Sequence, residues 1–138
     1  YNTIMKLYVK DLLVGFEGKL KVGSEVLNRE VSDDDVAKAF GLALKAIRNS
    51  QEITLRKMAE DVDIPNPTIN RYENGQNLPS LLQAIKIANY FDLSVELMLI
   101  MGLTALYDGA DIVPFYSVLK NALENSKKEN VLNRARRK

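Results

Sequence analysis

The sequence predicts a mainly all-α fold, with five helices between residues 32 and 101 and a further helix after them. Three observations predict it. Apolar residues recur at spacings of three and four from Val36 to Met101. A Ser, Thr or Asn stands just ahead of each apolar run, where its side chain can accept from an unpaired amide of the first helical turn. Turn formers such as Pro65, Asn74-Gly75 and Pro79 fall between the runs.

The elements follow in order. Ser32-Asp33-Asp34-Asp35 resembles a capping box, with carboxylates placed favourably in the first turn. Val36, Phe40, Leu44 and Ile47 continue that helix to about Asn49. Thr54 caps a second helix from Leu55 to Asp61, with Leu55, Met58, Ala59 and Val62 on its apolar stripe. Asn66-Pro67 opens a third, with Asn66 as cap and Pro67 at the first helical position. It ends at Asn74-Gly75, because glycine accepts the left-handed conformation that closes a helix. Ser80 caps a fourth helix whose stripe is Leu81, Leu82, Ile85 and Ala88. Ser94 caps a fifth, Val95 to about Met101. A sixth is predicted from Pro114 to Lys128, with Phe115, Val118, Leu119, Ala122 and Leu123 on one side, followed by a frayed basic end from Asn133. The first 31 residues are ambiguous. Alternation over Met5–Lys10 and a turn at Phe16–Lys19 read as short strands in a hairpin, while a helix from Thr3 fits the same residues. The chain therefore divides into an N-terminal extension (1–31), a helical domain (32–101), and a C-terminal helix with a basic tail (102–138).

Composition narrows the chemistry. The 138 residues contain no cysteine and no histidine. That removes the thiolate nucleophile, cysteine-based zinc sites, and the commonest general base and metal ligand. No paired-carboxylate or phosphate-cradling glycine motif stands out, so neither an enzyme nor a cofactor is expected. No apolar run approaches a membrane span, and the cysteine-free composition suits the cytoplasm. Net charge is +1, unevenly placed. Residues 32–101 carry seven basic and ten acidic side chains, and residues 127–138 carry six basic and one acidic. The tail (Lys127, Lys128, Arg134, Arg136, Arg137, Lys138) is expected to attract phosphate without regard to sequence.

Short helices with a tight turn between the second and third let one helix project into a DNA major groove about 12 Å wide. The residues carrying this reading are Phe40–Arg48, Ile53–Ala59, Thr68–Gly75, Leu78-Pro79-Ser80 and Ile87-Ala88. In spacing and identity they resemble the Cro/lambda-repressor-type (XRE) helix-turn-helix family over about half the chain. The resemblance implies a five-helix lambda-repressor-like domain. Ala59 would be small where two helices cross, Ile69 would plug the core, and Arg48 and Glu73 would form an internal ion pair. It places Asn66, Pro67, Asn70 and Arg71 on the base-reading face. Arg71 suits guanine, and Asn66 and Asn70 suit adenine. Thr54, Arg56, Lys57, Asn74, Gln76 and Asn77 are expected against phosphate.

The chain departs from the family pattern at four positions. Leu55 stands where a glutamine commonly opens the second helix, Glu52 and Asp63 replace turn glycines, and Pro65 occupies the usual cap of the recognition helix. Two functions fit. One is a transcriptional regulator, most simply a repressor binding a palindromic operator as a homodimer, with the sixth helix either pairing the two copies or docking on the fifth helix of its own chain. The other is an antitoxin or adaptor binding a protein partner such as a toxin or effector, with the N-terminal segment pairing to that partner's sheet edge.

Overall fold

Ser32 accepts from the Asp35 amide at 3.2 Å and starts the longest core helix, α2 (Asp33–Ser50). The same local device opens three more helices. Thr54 accepts from Lys57 ahead of α3 (Leu55–Val62), Ser80 from Gln83 ahead of α5 (Leu81–Tyr90), and Ser94 from Leu97 ahead of α6 (Val95–Asp108). Between α3 and α5 lies α4 (Asn66–Glu73). A one-turn helix, α1 (Ser24–Leu27), precedes these, and α7 (Ile112–Arg136) follows them. The computed structural model describes residues 5–14, 16, 20 and 22–136, and among them there is no strand.

Helices α2 and α6 form the centre. Phe40, Leu44 and Ile47 from α2 meet Met98 and Met101 from α6, and Met58, Ile69 and Ile87 from α3, α4 and α5 close over them. A second apolar cluster, Val9, Val26, Val31, Ala39 and Leu103, joins the N-terminal segment to α2 and α6.

The N-terminal strands predicted from alternation are corrected. Val9–Leu13 is a 3-10 helix, and Tyr8 and Glu30 make an isolated bridge. Val9 and Leu13 lie four residues apart and are both buried, a helical spacing that begins inside the alternating run and continues past its end. The Tyr8 amide donates to the Asp11 carboxylate at 2.9 Å, which starts the turn. Of the hairpin turn at Phe16–Lys19 only Phe16 lies among the described residues, and residues 5–7, over which a helix from Thr3 would run, are not helical.

Three helices also differ from expectation. Helix α6 continues through Gly102 to Asp108, because the polar residue on its buried face, Thr104, satisfies its hydroxyl within the helix by donating to the Ile100 carbonyl at 2.7 Å, and Gly109 closes it at φ +66°. Helix α5 buries Ala84, Ile87 and Ala88 and leaves Leu81, Leu82 and Ile85 exposed. Helix α7 starts at Ile112 and docks on Ile112, Tyr116 and Leu119, with the Tyr116 hydroxyl donating to the Phe91 carbonyl at 3.2 Å. Val118 and Ala122 face solvent, and the helix runs past the predicted frayed end to Arg136. No single described helix is long and apolar enough to cross a membrane, and α5 and α6, apolar together, meet at 83°.

Tyr107 on α6 ties the N-terminal segment down. Its hydroxyl donates to Asp35, and the Arg29 guanidinium lies 4.3 Å above its ring. Burial and the Asp35 bond push the Tyr107 hydroxyl up to about 12, and the same bond holds Asp35 below the usual carboxylate range. Asp35 therefore contributes fully above about pH 4, its unfolded value, and loses that contribution as pH falls through its lowered folded one. Tyr107 contributes fully below about pH 10 and loses its contribution as pH rises through its raised value. Tyr107→Phe should accordingly lower the denaturation midpoint by a constant amount between roughly pH 5 and 9, with the gap narrowing at both extremes. Urea titrations across that range check it.

Candidate nucleic-acid interface

Helices α3 and α4 make the candidate site, joined by the turn Asp63-Ile64-Pro65. Asp63 adopts φ +55°, the left-handed conformation that reverses the chain. Ile64 then drops into the core at 2% exposure and anchors the turn. Helix α4 presents Ile69, Tyr72 and Glu73 inward, and Asn66, Pro67, Asn70 and Arg71 to solvent. All four predicted base-reading residues therefore lie on the outer side of an eight-residue helix.

One predicted detail changes. The cap of α4 is Pro65, whose carbonyl accepts from the Thr68 and Ile69 amides, while Asn66 and Pro67 take the first two helical positions. The chain is already extended at Pro65 (φ −56°, ψ 138°), so the helix begins one residue earlier than an Asn66 cap requires. The Asn66 side chain makes no capping bond and is exposed. Because Pro67 has no N–H, this terminus offers fewer backbone donors, and recognition passes to side chains.

The predicted phosphate-facing residues are all exposed: Thr54, Arg56, Lys57, Asn74, Gln76 and Asn77. They do not carry equal free charge. Arg56 pairs with Glu60 at 3.6 Å and Lys57 with Asp61 at 3.0 Å, each one helical turn on. Asp61 also accepts from the Tyr90 hydroxyl at 2.7 Å, and that bond, with Lys57, lowers its pKa, while Tyr90 rises to about 12. Exposed pairs at this spacing are weak, so a phosphate can compete for either cation. Thr54 uses its oxygen to accept from Lys57, which leaves its proton to donate outward. The two residues replacing turn glycines, Glu52 and Asp63, both sit at positive φ and are exposed.

Beneath this surface lies the ion pair implied by the resemblance. Arg48 Nε donates to Glu73 Oε2 at 2.6 Å, Nη2 to Oε1 at 3.0 Å, and Nη1 to the Ile53 carbonyl at 2.7 Å. One buried guanidinium thus fixes the end of α4 against α2 and the loop that leads into α3. Helices α2 and α4 also approach closely, at Gly41. A Cβ there would lie 2.3 Å from the Tyr72 carbonyl oxygen. The sequence reading also left Tyr72 and Tyr90 unassigned. Tyr72 bonds Gln83 and so links α4 to α5, and Tyr90 bonds Asp61 and links α5 to α3. Partners 11 and 29 residues apart in sequence leave no local signal.

Comparison with known proteins gives three findings. Residues 44–98 match a family model described as helix-turn-helix. No curated protein matches the chain. Among solved structures, the crystal structure of the clp gene regulator ClgR from Corynebacterium glutamicum is similar at 25% identity and a TM-score of 0.47, over 66% of this chain and 93% of that one.

Proposed function

We propose, from the match of residues 44–98 to a helix-turn-helix family model, that this chain is a DNA-binding regulator of the Cro/C1-type (XRE) family, a sequence-specific repressor acting as a homodimer on a palindromic operator. The observation carrying the reading is the polarity of α4. Its inner side is locked by Ile69 and the Arg48–Glu73 pair, and its outer side offers Asn66, Pro67, Asn70 and Arg71.

Entering the major groove, Arg71 would present two parallel N–H groups to guanine O6 and N7. Asn70 and Asn66 match adenine N6 and N7, and the Pro67 ring suits a thymine methyl. Thr54 and the free amides opening α3 meet phosphate, helped by Arg56 and Lys57 once these leave their carboxylate partners. Asn74, Gln76 and Asn77 add neutral contacts at the other end of α4. One eight-residue helix reads too few base pairs for useful selectivity, so two copies would occupy half-sites about 34 Å apart. No cofactor enters this scheme, and it operates in the cytoplasm.

Selection of bound sites from random duplexes tests the reading, followed by titrations on the selected duplex and a scrambled one at matched salt. Arg71→Ala is expected to weaken cognate binding by about 1–3 kcal/mol and to relax preference at one position. Arg71→Lys should recover more affinity than specificity, because an ammonium lacks the two-pronged geometry. Equal losses on both duplexes would make Arg71 a phosphate contact. No enrichment of any site would overturn the proposal.

A further inference from the structure

We infer that the exposed face of α5 is the docking surface for a second copy of this chain, an assignment that rests on the dimeric reading above and names its interface. Leu78, Leu81, Leu82 and Ile85 are 56%, 75%, 64% and 41% exposed. Leu81, Leu82 and Ile85 are surface neighbours on one helix, and Leu78 stands one turn earlier in the approach to it. Large apolar side chains grouped in this way leave water unfavourably ordered unless something covers them.

Three observations identify the cover as another copy. The first is charge: from Gln76 to Ile85 there is no charged residue, so a two-fold mate presenting the same patch meets no like charge. The second is area. The four side chains offer on the order of 400–500 Å² of apolar surface per copy, and a symmetric pair with its rim reaches the ~1,000 Å² that a specific interface needs. The third is mechanical. Tyr72 on α4 is hydrogen-bonded to Gln83 on α5, so whatever holds α5 also registers the recognition helix. A copy docked here fixes the distance and angle between two α4 helices, which is what a two-half-site operator demands. Helix α7, the pairing surface expected from sequence, turns Ile112, Tyr116 and Leu119 inward onto its own chain.

The absence of cysteine provides a direct test. Leu82→Cys in the otherwise unchanged 138-residue chain is expected to form a disulfide-linked dimer within minutes of adding copper phenanthroline, whereas Val118→Cys on α7 (68% exposed) stays monomeric. Leu81→Glu with Leu82→Glu should keep the wild-type melting temperature, since both sites are solvent-facing, and should shift the sedimentation mass from dimer to monomer. On DNA that double variant should retain single half-site affinity and lose about 100-fold on the paired site. Crosslinking through Val118, or an unchanged mass in the double variant, overturns the assignment. A wild-type chain that is monomeric both free and on DNA also overturns it, and a different protein then covers the patch. The mass and crosslinking arms need no DNA, so the interface can stand if operator selection fails, and the converse holds.

Discussion

Glu73→Ala is expected to cost about 3–5 kcal/mol, enough to unfold much of a marginally stable domain at room temperature. The Glu73 side chain is 3% exposed and the Arg48 side chain 11%, so removing the carboxylate strands a guanidinium in the core with one remaining partner, the Ile53 carbonyl. The loss should exceed anything seen for the exposed pairs Arg56–Glu60 and Lys57–Asp61, whose charges water already solvates. The chemistry separates two components. Glu73→Gln keeps the shape and one acceptor oxygen but loses the charge, and should fall between wild type and alanine. Replacing both partners with Met and Leu removes the stranded charge and should recover most of the stability. It should also loosen the end of α4, because apolar contact does not hold a two-pronged geometry. Chemical denaturation of the four proteins, with duplex binding measured on those that fold, checks both halves. A Glu73→Ala midpoint equal to wild type would mean that the pair is solvated and fixes nothing.

How much of this architecture the sequence reveals depends on how local each cause is. Ser32, Thr54, Ser80 and Ser94 were legible as caps because capping involves one side chain and an amide three residues on. The end of α4 was legible because Gly75, at φ +70°, is a backbone requirement visible in one residue. Arg48 and Glu73 are 25 residues apart, and only the family resemblance joined them. The face of α5 was not legible. Leu81, Leu82, Ile85 and Ala88 make one stripe and Ala84, Ile87 and Ala88 another, and neighbouring helices select the second. The N-terminal segment failed for a related reason. Val9 and Leu13 are placed by Val26, Val31 and Leu103, contacts made across long stretches of chain. In the candidate site, exposure of the four α4 residues was anticipated, whereas the pairing of Arg56 and Lys57 with their own helix's carboxylates was not drawn from the same spacing.

Gly102→Ala should be the most damaging glycine-to-alanine change among the described residues. Two physical terms oppose each other. Alanine favours a helix interior over glycine by about 1 kcal/mol, so on propensity alone the variant gains stability. Sterics reverse the sign. A Cβ on Gly102 would lie 1.9 Å from the Ala39 carbonyl oxygen, 2.4 Å from its carbon and 2.8 Å from its Cα, and every one of these is backbone of α2. No rotamer change relieves a clash with backbone, so α2 and α6 must separate by more than an ångström along the crossing that organises both apolar clusters. Met98 and Met101 would draw away from Phe40 and Leu44 on one side, and Leu103 from Val9 and Val26 on the other. The net cost should reach or pass the ~3 kcal/mol upper end of ordinary overpacking. Gly23→Ala supplies the control, since a Cβ there meets nothing within 4 Å, and its midpoint should stay near wild type. Urea denaturation of the two variants decides between the terms. A raised midpoint for Gly102→Ala would show that propensity outweighs contact and that α2 and α6 do not cross as closely as the backbone distances require.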